Sequence, residues 1–408
     1  MKCRHCSSPL GLTLIDLGSA PPSNAYLTVE SLNRPERWFP LRVLVCECCW
    51  LVQTQDFADA HELFDAEYAY FSGVSSSWVE HARRYVDHMA ETLALDSRSM
   101  VVEIASNDGY LLQHVRRRGI PCLGVEPTAS TAAAARAKGL EVVEEFFGAT
   151  CGRRLATEGR SADLLVANNV LAHVPDINDF LAGFTALLKP NGVATFEFPH
   201  LLRLLEGVQF DTIYHEHYSY LSMLSVDRIL RVAGLVPFRV QELPTHGGSL
   251  RVMAARGDTG PRDPDGSVAA LIERERSAGL DQPGRYAGFQ ELAERIRQDL
   301  LAFLLESKRA GRRVAAYGAA AKGNTLLNFA GVRPDLVQYV VDRNPAKQGK
   351  YMPGSRIPIV APEVLSATRP DDLLVLPWNL LDEVRRDLGL VIGRGTRLVT
   401  AVPELHVT

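Results

Sequence analysis

The sequence predicts an α/β protein in three parts: a small N-terminal zinc module, a central doubly wound sheet and a C-terminal Rossmann-like α/β domain. Three observations carry that expectation. Cysteines crowd the first fifty residues as two Cys-x2-Cys pairs. From Val101 onward, apolar strands alternate with amphipathic stretches, and the same rhythm restarts at Val314. The chain has 408 residues, enough for two or three domains of about 150 residues each.

The elements follow in order. Residues 1 to about 65 are short and strand-like, with Pro21-Pro22 and Pro35 interrupting any long helix. A helical pattern then runs through Trp78, Val79, Ala82, Tyr85 and Met89. Expected strands are Val101 to Ile104, Cys122 to Glu126, Glu141 to Val143, Ala162 to Ala167 and Gly192 to Phe196, with helices from Leu111 and around Ala132 to Ala137. This βαβ order implies a parallel sheet with helices on both faces. The polar, Gly/Pro/Asp-rich stretch Gly257 to Gly266 marks a boundary, and a long amphipathic helix spans roughly Tyr286 to Arg309. A second βαβ unit takes in Val314 to Gly318, Val337 to Val341 and Leu373 to Leu376. The expected domains are 1–65, 66–255 and 256–408.

Composition narrows the function. Hydrophobic residues are 46% and charged residues 23% of the chain, as in ordinary globular protein. The net charge of −4 makes a poor surface for many phosphate contacts, which speaks against nucleic acid as partner. No apolar run reaches the roughly eighteen residues of a membrane span, and Met1 to Cys6 lacks the apolar core of a signal peptide. The expectation is a cytoplasmic protein acting on a small molecule, for which a monomer is acceptable.

Cys3, Cys6, Cys46 and Cys49 form two thiolate knuckles that can close one tetrahedral zinc, with Cys48 as an alternative ligand. Four sulfurs leave no place for water, so this zinc is structural. Val101 to Gly109 is a strand followed by a turn holding Glu103, Ala105, Asn107, Asp108 and Gly109. It resembles the first motif of class I S-adenosylmethionine methyltransferases, in which a Gly-containing turn lets backbone approach the cofactor. Ala105 replaces the first glycine of that pattern, which suits a turn of negative φ. Glu126, 23 residues after Glu103, is placed to accept both ribose hydroxyls. Phe146 and Phe147 either sandwich the adenine or belong to the core. Asn168 follows the fourth strand, at the carboxyl end where ligands bind in such sheets, and His173 lies just beyond it.

Tyr214-His215-Glu216-His217 is part of the densest cluster of ionisable and aromatic side chains. Histidines at i and i+2 exclude a HExxH zinc face. In an extended segment, His215 and His217 share one face and Glu216 takes the other; only a turn would bring Glu216 and His217 together. Histidine suits proton abstraction near neutrality, and tyrosine suits donation to a developing oxyanion. His246-Gly247-Gly248-Ser249-Leu250-Arg251 reads as a ligand-contacting loop, with a plain hairpin turn as the alternative. Lys322 lies where a strand opens into a helix, a position fit for a nucleotide-sugar pyrophosphate; NAD or a purely structural loop are the other readings.

Together these residues resemble the sugar C-methyltransferases that act on nucleotide-linked 4-keto-deoxysugars, as in antibiotic deoxysugar biosynthesis. The resemblance spans nearly the whole chain. It implies methyl transfer from S-adenosylmethionine to a carbon beside the ketone of a sugar, with dTDP the expected nucleotide. It also implies His217 as general base, Tyr214 and Glu216 lining the reacting sugar, and His173 on the donor side. Tyr68 looks like the tyrosine that closes over the sugar, with Tyr70 as the alternative and Ser72 beside them; His215 and Lys322 fall on the substrate side. Two other classes are compatible with the motifs: a zinc-ribbon RNA or protein methyltransferase, and a non-catalytic nucleotide-sugar binding protein.

Overall fold

The computed structural model describes residues 1–57, 71–260, 262–389 and 395–408. Tyr68 and Tyr70 lie outside the described residues. Near the N-terminus, β1 (Leu12–Ala20), β2 (Phe39–Val45) and β3 (Val52–Thr54) pair antiparallel. The four paired cysteines sit at the ends of these strands and the turns beside them.

The central sheet begins with β4 (Val101–Ile104), β5 (Cys122–Val125), β6 (Val142–Val143), β7 (Ala162–Asn168) and β8 (Leu188–Pro199). β9 (Ser219–Tyr220) leaves this sheet and pairs with the free edge of β3. β10 (Leu235–Leu243) and β11 (Ser249–Arg256) then form a hairpin. The resulting order is β10-β11-β8-β7-β4-β5-β6, parallel from β8 to β6 and antiparallel at the hairpin end. Strand order reverses at β4, so a crevice opens beyond the carboxyl ends of β4, β5 and β7.

Both faces of this sheet are buried, as the near-continuous apolar strands require. On one face Val102, Ile104, Leu165 and Phe196 meet Phe180 and Phe184 of the helix Ile177–Leu187. On the other, Val101 and Val166 meet Tyr85 and Met89 of the helix Ser76–Thr92. Ser75 caps that helix by accepting the Trp78 N–H, which fixes where it starts.

The C-terminal sheet runs β14 (Ile359–Val360), β13 (Val340–Val341), β12 (Val314–Tyr317), β15 (Asp372–Val375), β16 (Arg397–Thr400) and β17 (His406–Val407), all parallel except β17. The long helix is Phe289–Arg309. The helix Ser267–Ser277, just past the Gly257 to Gly266 stretch, packs back on the central sheet and buries Val268 and Leu271 there. Its Glu275 is buried, accepting a bond from His200 Nε2 at 2.7 Å and from the Met223 and Leu224 N–H groups at 2.7 and 2.6 Å. A backbone bridge between Leu27 and Tyr351 ties the N-terminal part to the C-terminal one.

Candidate active site

One large cavity of about 820 Å³ occupies the predicted crevice. All three parts of the chain line it: Asn24 and Asp56 from the N-terminal part, the strand ends of the central sheet, and Lys322, Lys347 and Asn379 from the C-terminal part.

The wall at the end of β4 is a strained turn. Ala105 has φ 55° and Asn107 φ 49°, both in the left-handed region. The ordinary negative φ that an alanine suits is therefore not what this turn has at Ala105, where the backbone is left-handed. An alanine in that region costs about 1 kcal/mol relative to glycine, which the surrounding bonds offset. Those bonds centre on Glu126, whose carboxylate accepts the Asn107 N–H at 2.9 Å and the Thr128 N–H at 3.0 Å. Ala105, Asn107 and Glu126 all line the cavity.

Asn168 lines it too, and both polar atoms of its amide are buried without a hydrogen-bond partner among the described residues. Leaving such a group unpaired is costly, so the amide fits a ligand that supplies the missing bonds. This orphaned amide, the Glu126 carboxylate and the tight turn could together hold a ligand with both hydrogen-bond donors and acceptors.

Glu103, Asp108 and Gly109 lie behind the wall and do not touch the cavity. Burial pushes the Glu103 carboxyl well above the ordinary carboxylate range. Asp108 accepts the Gly73 N–H and pairs with Lys138 at 3.0 Å. A Cβ at Gly109 would sit 2.2 Å from Leu140 Cδ1, so this glycine serves helix packing. Phe146 and Phe147 both line the cavity; Phe146 is exposed, and Phe147 also packs edge-on against Phe180 and Phe184.

Opposite the turn, Tyr214 to His217 folds back on itself, with the His217 N–H bonded to the Tyr214 carbonyl at 2.9 Å. Of the two conformations the sequence leaves open, the structure has the turn, which brings Tyr214, Glu216 and His217 to the cavity together. It sends His215 away: its Nε2 contacts the Phe39 and Pro40 carbonyls at 3.2 Å, a structural post on β2. His217 Nδ1 lies 2.7 Å from the Thr212 carbonyl. A carbonyl only accepts, so Nδ1 carries the proton and Nε2 keeps its lone pair. Burial, with His173 beside it, holds His217 well below the ordinary histidine range. The ring centroids of Tyr214 and His173 stand 4.0 and 4.6 Å from that of His217. Burial also brings His173 and His246 down to about 4, so both are neutral at pH 7.

The His246 loop divides. His246 reaches the cavity, its Nε2 3.1 Å from the Asn169 amide nitrogen. Gly247, Gly248 and Ser249 line a separate hollow of about 420 Å³ beside Arg203 and Glu242, not the large cavity. Their freedom of conformation serves packing instead: a Cβ on Gly247, at φ 89°, would meet Trp378 at 2.6 Å. Arg251 is also committed elsewhere, bonded to Glu197 at 2.6 Å, to His81 at 3.0 Å and stacked over Tyr85.

Lys322 extends into the cavity and donates to Asn379 Oδ1 at 2.8 Å, over the ring of Trp378. Ser72 lines the same cavity, its N–H bonded to Asn107 Oδ1 at 2.9 Å. Sequence reasoning missed Asn24, Asn169 and Lys347. Asn24 donates to both oxygens of Glu216 at 2.8 and 2.7 Å, and Lys347 donates to the Ala319 carbonyl at 2.8 Å. Asn169 adjoins Asn168 and has a signal of its own in φ 54°, visible only in three dimensions.

The sulfurs of Cys3, Cys6, Cys46 and Cys49 all lie within 4.8 Å of one another, with 3.5 Å between Cys3 and Cys49 and between Cys6 and Cys46. Tetrahedral zinc with bonds of about 2.3 Å fits a cluster of that size. Cys48 is exposed and points away, which removes it as the alternative ligand.

Three family descriptions match the chain: "Putative zinc binding domain" over residues 3–64, "Methyltransferase domain" over 78–239 and "C-methyltransferase C-terminal domain" over 244–403. The chain is 34% identical to the C-methyltransferase NovU of Streptomyces niveus over 406 residues, which is 100% of this chain and 96% of that one. It is 28% identical over 113 residues to the ubiquinone biosynthesis O-methyltransferase of Rhodopseudomonas palustris (strain HaA2), covering 28% of this chain and 44% of that one. The solved structure of the PH0226 protein from Pyrococcus horikoshii OT3 superposes with a TM-score of 0.39 at 13% identity, over 49% of this chain and 100% of that chain.

Proposed function

This chain belongs to the C-methyltransferase family, S-adenosylmethionine-dependent enzymes with a zinc-binding N-terminal domain, and from that premise we propose that it methylates a ring carbon beside the ketone of a dTDP-linked 4-keto-6-deoxysugar. The observation that carries the proposal is His217: a neutral imidazole with its tautomer set by Thr212, facing the same cavity as Tyr214, Glu216 and the Glu126–Asn168 wall.

A carbon beside a carbonyl is a weak acid. His217 Nε2 takes its proton, and the imidazolium so formed keeps its Nδ1–H bond to Thr212. Tyr214 donates to the oxyanion that develops on the carbonyl oxygen. Glu216, held by Asn24, orients the ring, and neutral His173 adds no positive charge against the imidazolium. S-adenosylmethionine supplies, when bound, the electrophilic methyl that the nucleophilic carbon requires. Glu126 would accept its ribose hydroxyls, and the unpartnered Asn168 amide would bond its polar groups. Lys322 and Lys347 stand on the C-terminal wall, where a diphosphate finds two cations. On this reading residues 1–65, 66–255 and 256–408 each contribute one wall.

The direct test is mass spectrometry of purified protein with S-adenosylmethionine and a panel of dTDP-4-keto-6-deoxysugars. A product heavier by one methylene, with its methyl on carbon by NMR, is expected; no gain on any member would sink the substrate class. Two variants test the walls separately. Lys322→Ala raises the KM for the sugar nucleotide about tenfold with kcat within about threefold, because it removes one charge-assisted bond made equally in ground and transition states. An unchanged KM would return this lysine to a structural role. Glu126→Gln weakens S-adenosylmethionine binding about tenfold by calorimetry, since hydrogen bonds to a charged acceptor contribute about 1.5–3 kcal/mol. Affinity equal to the parent's would leave Glu126 only the task of holding the turn.

A further inference from the structure

The two residues between the zinc ligands Cys3 and Cys6 are Arg4 and His5, and both reach out of the module. Arg4 is almost wholly buried, its side chain 5% exposed. One guanidinium nitrogen donates to the Pro175 carbonyl at 2.8 Å; the other donates to the Thr54 carbonyl at 3.0 Å and to Asp56 at 2.7 Å. Its plane lies over the ring of Tyr218, 5.2 Å from the centroid. Pro175 is two residues past His173, and Tyr218 directly follows His217. Thr54 closes the loop, since its hydroxyl donates to the His217 carbonyl at 2.9 Å and its N–H to the Tyr218 carbonyl at 3.1 Å. His5 Nδ1 meets Asn178 Oδ1 at 2.8 Å, and the Asn178 amide nitrogen donates to the His5 carbonyl at 2.9 Å. That pair pins the start of the helix Ile177–Leu187, immediately beyond the His173 segment.

A guanidinium is a rigid planar fork, able to hold two separate backbone segments at a fixed distance, which a flexible ammonium cannot do. We propose that Arg4 is a positioning residue: from the zinc knuckle it clamps the segments bearing His173 and His217 together, so that the module sets the geometry of the base as well as the stability of the chain. The inference rests on the functional reading above, in which those two histidines face the reacting sugar. Arg4 touches neither substrate nor cofactor on this reading.

The experiment compares Arg4→Ala and Arg4→Lys with the parent enzyme, each with zinc content measured. The expected result for Arg4→Ala is full zinc, S-adenosylmethionine affinity within about threefold, unchanged KM for the sugar, and kcat lowered by more than tenfold. Millimolar guanidinium restores part of that kcat by filling the vacated place. Arg4→Lys keeps charge and length but not the fork, and is expected to retain zinc while losing about fivefold in kcat. Should Arg4→Ala lose its zinc or fail to fold, Arg4→Lys decides alone: parental kcat in that variant overturns the proposal. A second readout needs no substrate. The imidazole 15N signals of His173 and His217 should shift in Arg4→Lys; unshifted signals overturn the positioning role even if the parent turns over no sugar. Absence of turnover in the parent alone would count against the proposed reaction and leave this second readout to judge Arg4.

Discussion

Replacing His217 with asparagine is expected to lower kcat by about 10²–10⁴-fold, the range over which a positioned general base accelerates proton transfer. Asparagine preserves a donor for the Thr212 carbonyl but has no lone pair of comparable basicity, so S-adenosylmethionine affinity should stay within about threefold. Parental turnover in His217→Asn would remove this residue from the base role. The pH profile is an independent check with a definite sign. Burial lowers the pKa of His217 below the ordinary value of about 6.5, so the free enzyme keeps its base unprotonated into mild acid. The acid limb of kcat/KM is expected well below pH 6.5, and a limb at or above 6.5 would contradict the buried geometry. Stability follows the same sign. His173 and His246, at about 4, bind fewer protons folded than unfolded, so stability is complete above about pH 6.5 and declines as pH falls toward 4. The melting temperature should therefore drop across that window.

The βαβ order was legible in the sequence because strands buried on both faces are mainly apolar, as Val101 to Ile104 and Ala162 to Ala167 are. The zinc ligands were legible because their spacing alone places two sulfur pairs. What stayed hidden depends on backbone conformation and on contacts between distant segments. The turn at Tyr214 to His217 closes through one backbone bond, and no local residue pattern distinguishes it from an extended run; its existence decided that His215 leaves the cavity and Glu216 enters it. The residue type of Ala105 favours negative φ, whereas its positive φ belongs to a turn tied by the bond from Asn107 to Glu126, 19 residues apart in sequence. Arg251 sits in a segment that reads as ligand-contacting, and its partner Glu197, 54 residues away, is visible only in three dimensions. Asn24 could not be found from sequence at all, because its role exists only through Glu216, 192 residues away.

The zinc module should show the largest effect on the molecule as a whole. Cys46 is fully buried, and Cys46→Ser replaces a thiolate with a hydroxyl that is a far weaker zinc ligand. Zinc content should fall to near zero. Structural zinc can contribute about 10–16 kcal/mol of apparent binding free energy to a small fold, so the module cannot keep its packing without it. The loss should spread, because the module is not a detached appendage. β3 pairs with β9, two residues past His217, and Thr54 and Asn24 bond to His217 and Glu216. The expected outcome is a variant with a melting temperature lowered by more than about 5 °C and turnover below detection, matched by the parent after treatment with a strong chelator. Intact melting and turnover in zinc-free parent would make the metal dispensable. Cys48→Ser serves as the control: Cys48 is exposed and outside the cluster, so that substitution should leave zinc content, melting temperature and turnover at parental values. Loss of zinc in Cys48→Ser would mean that the ligand set differs from the four clustered sulfurs.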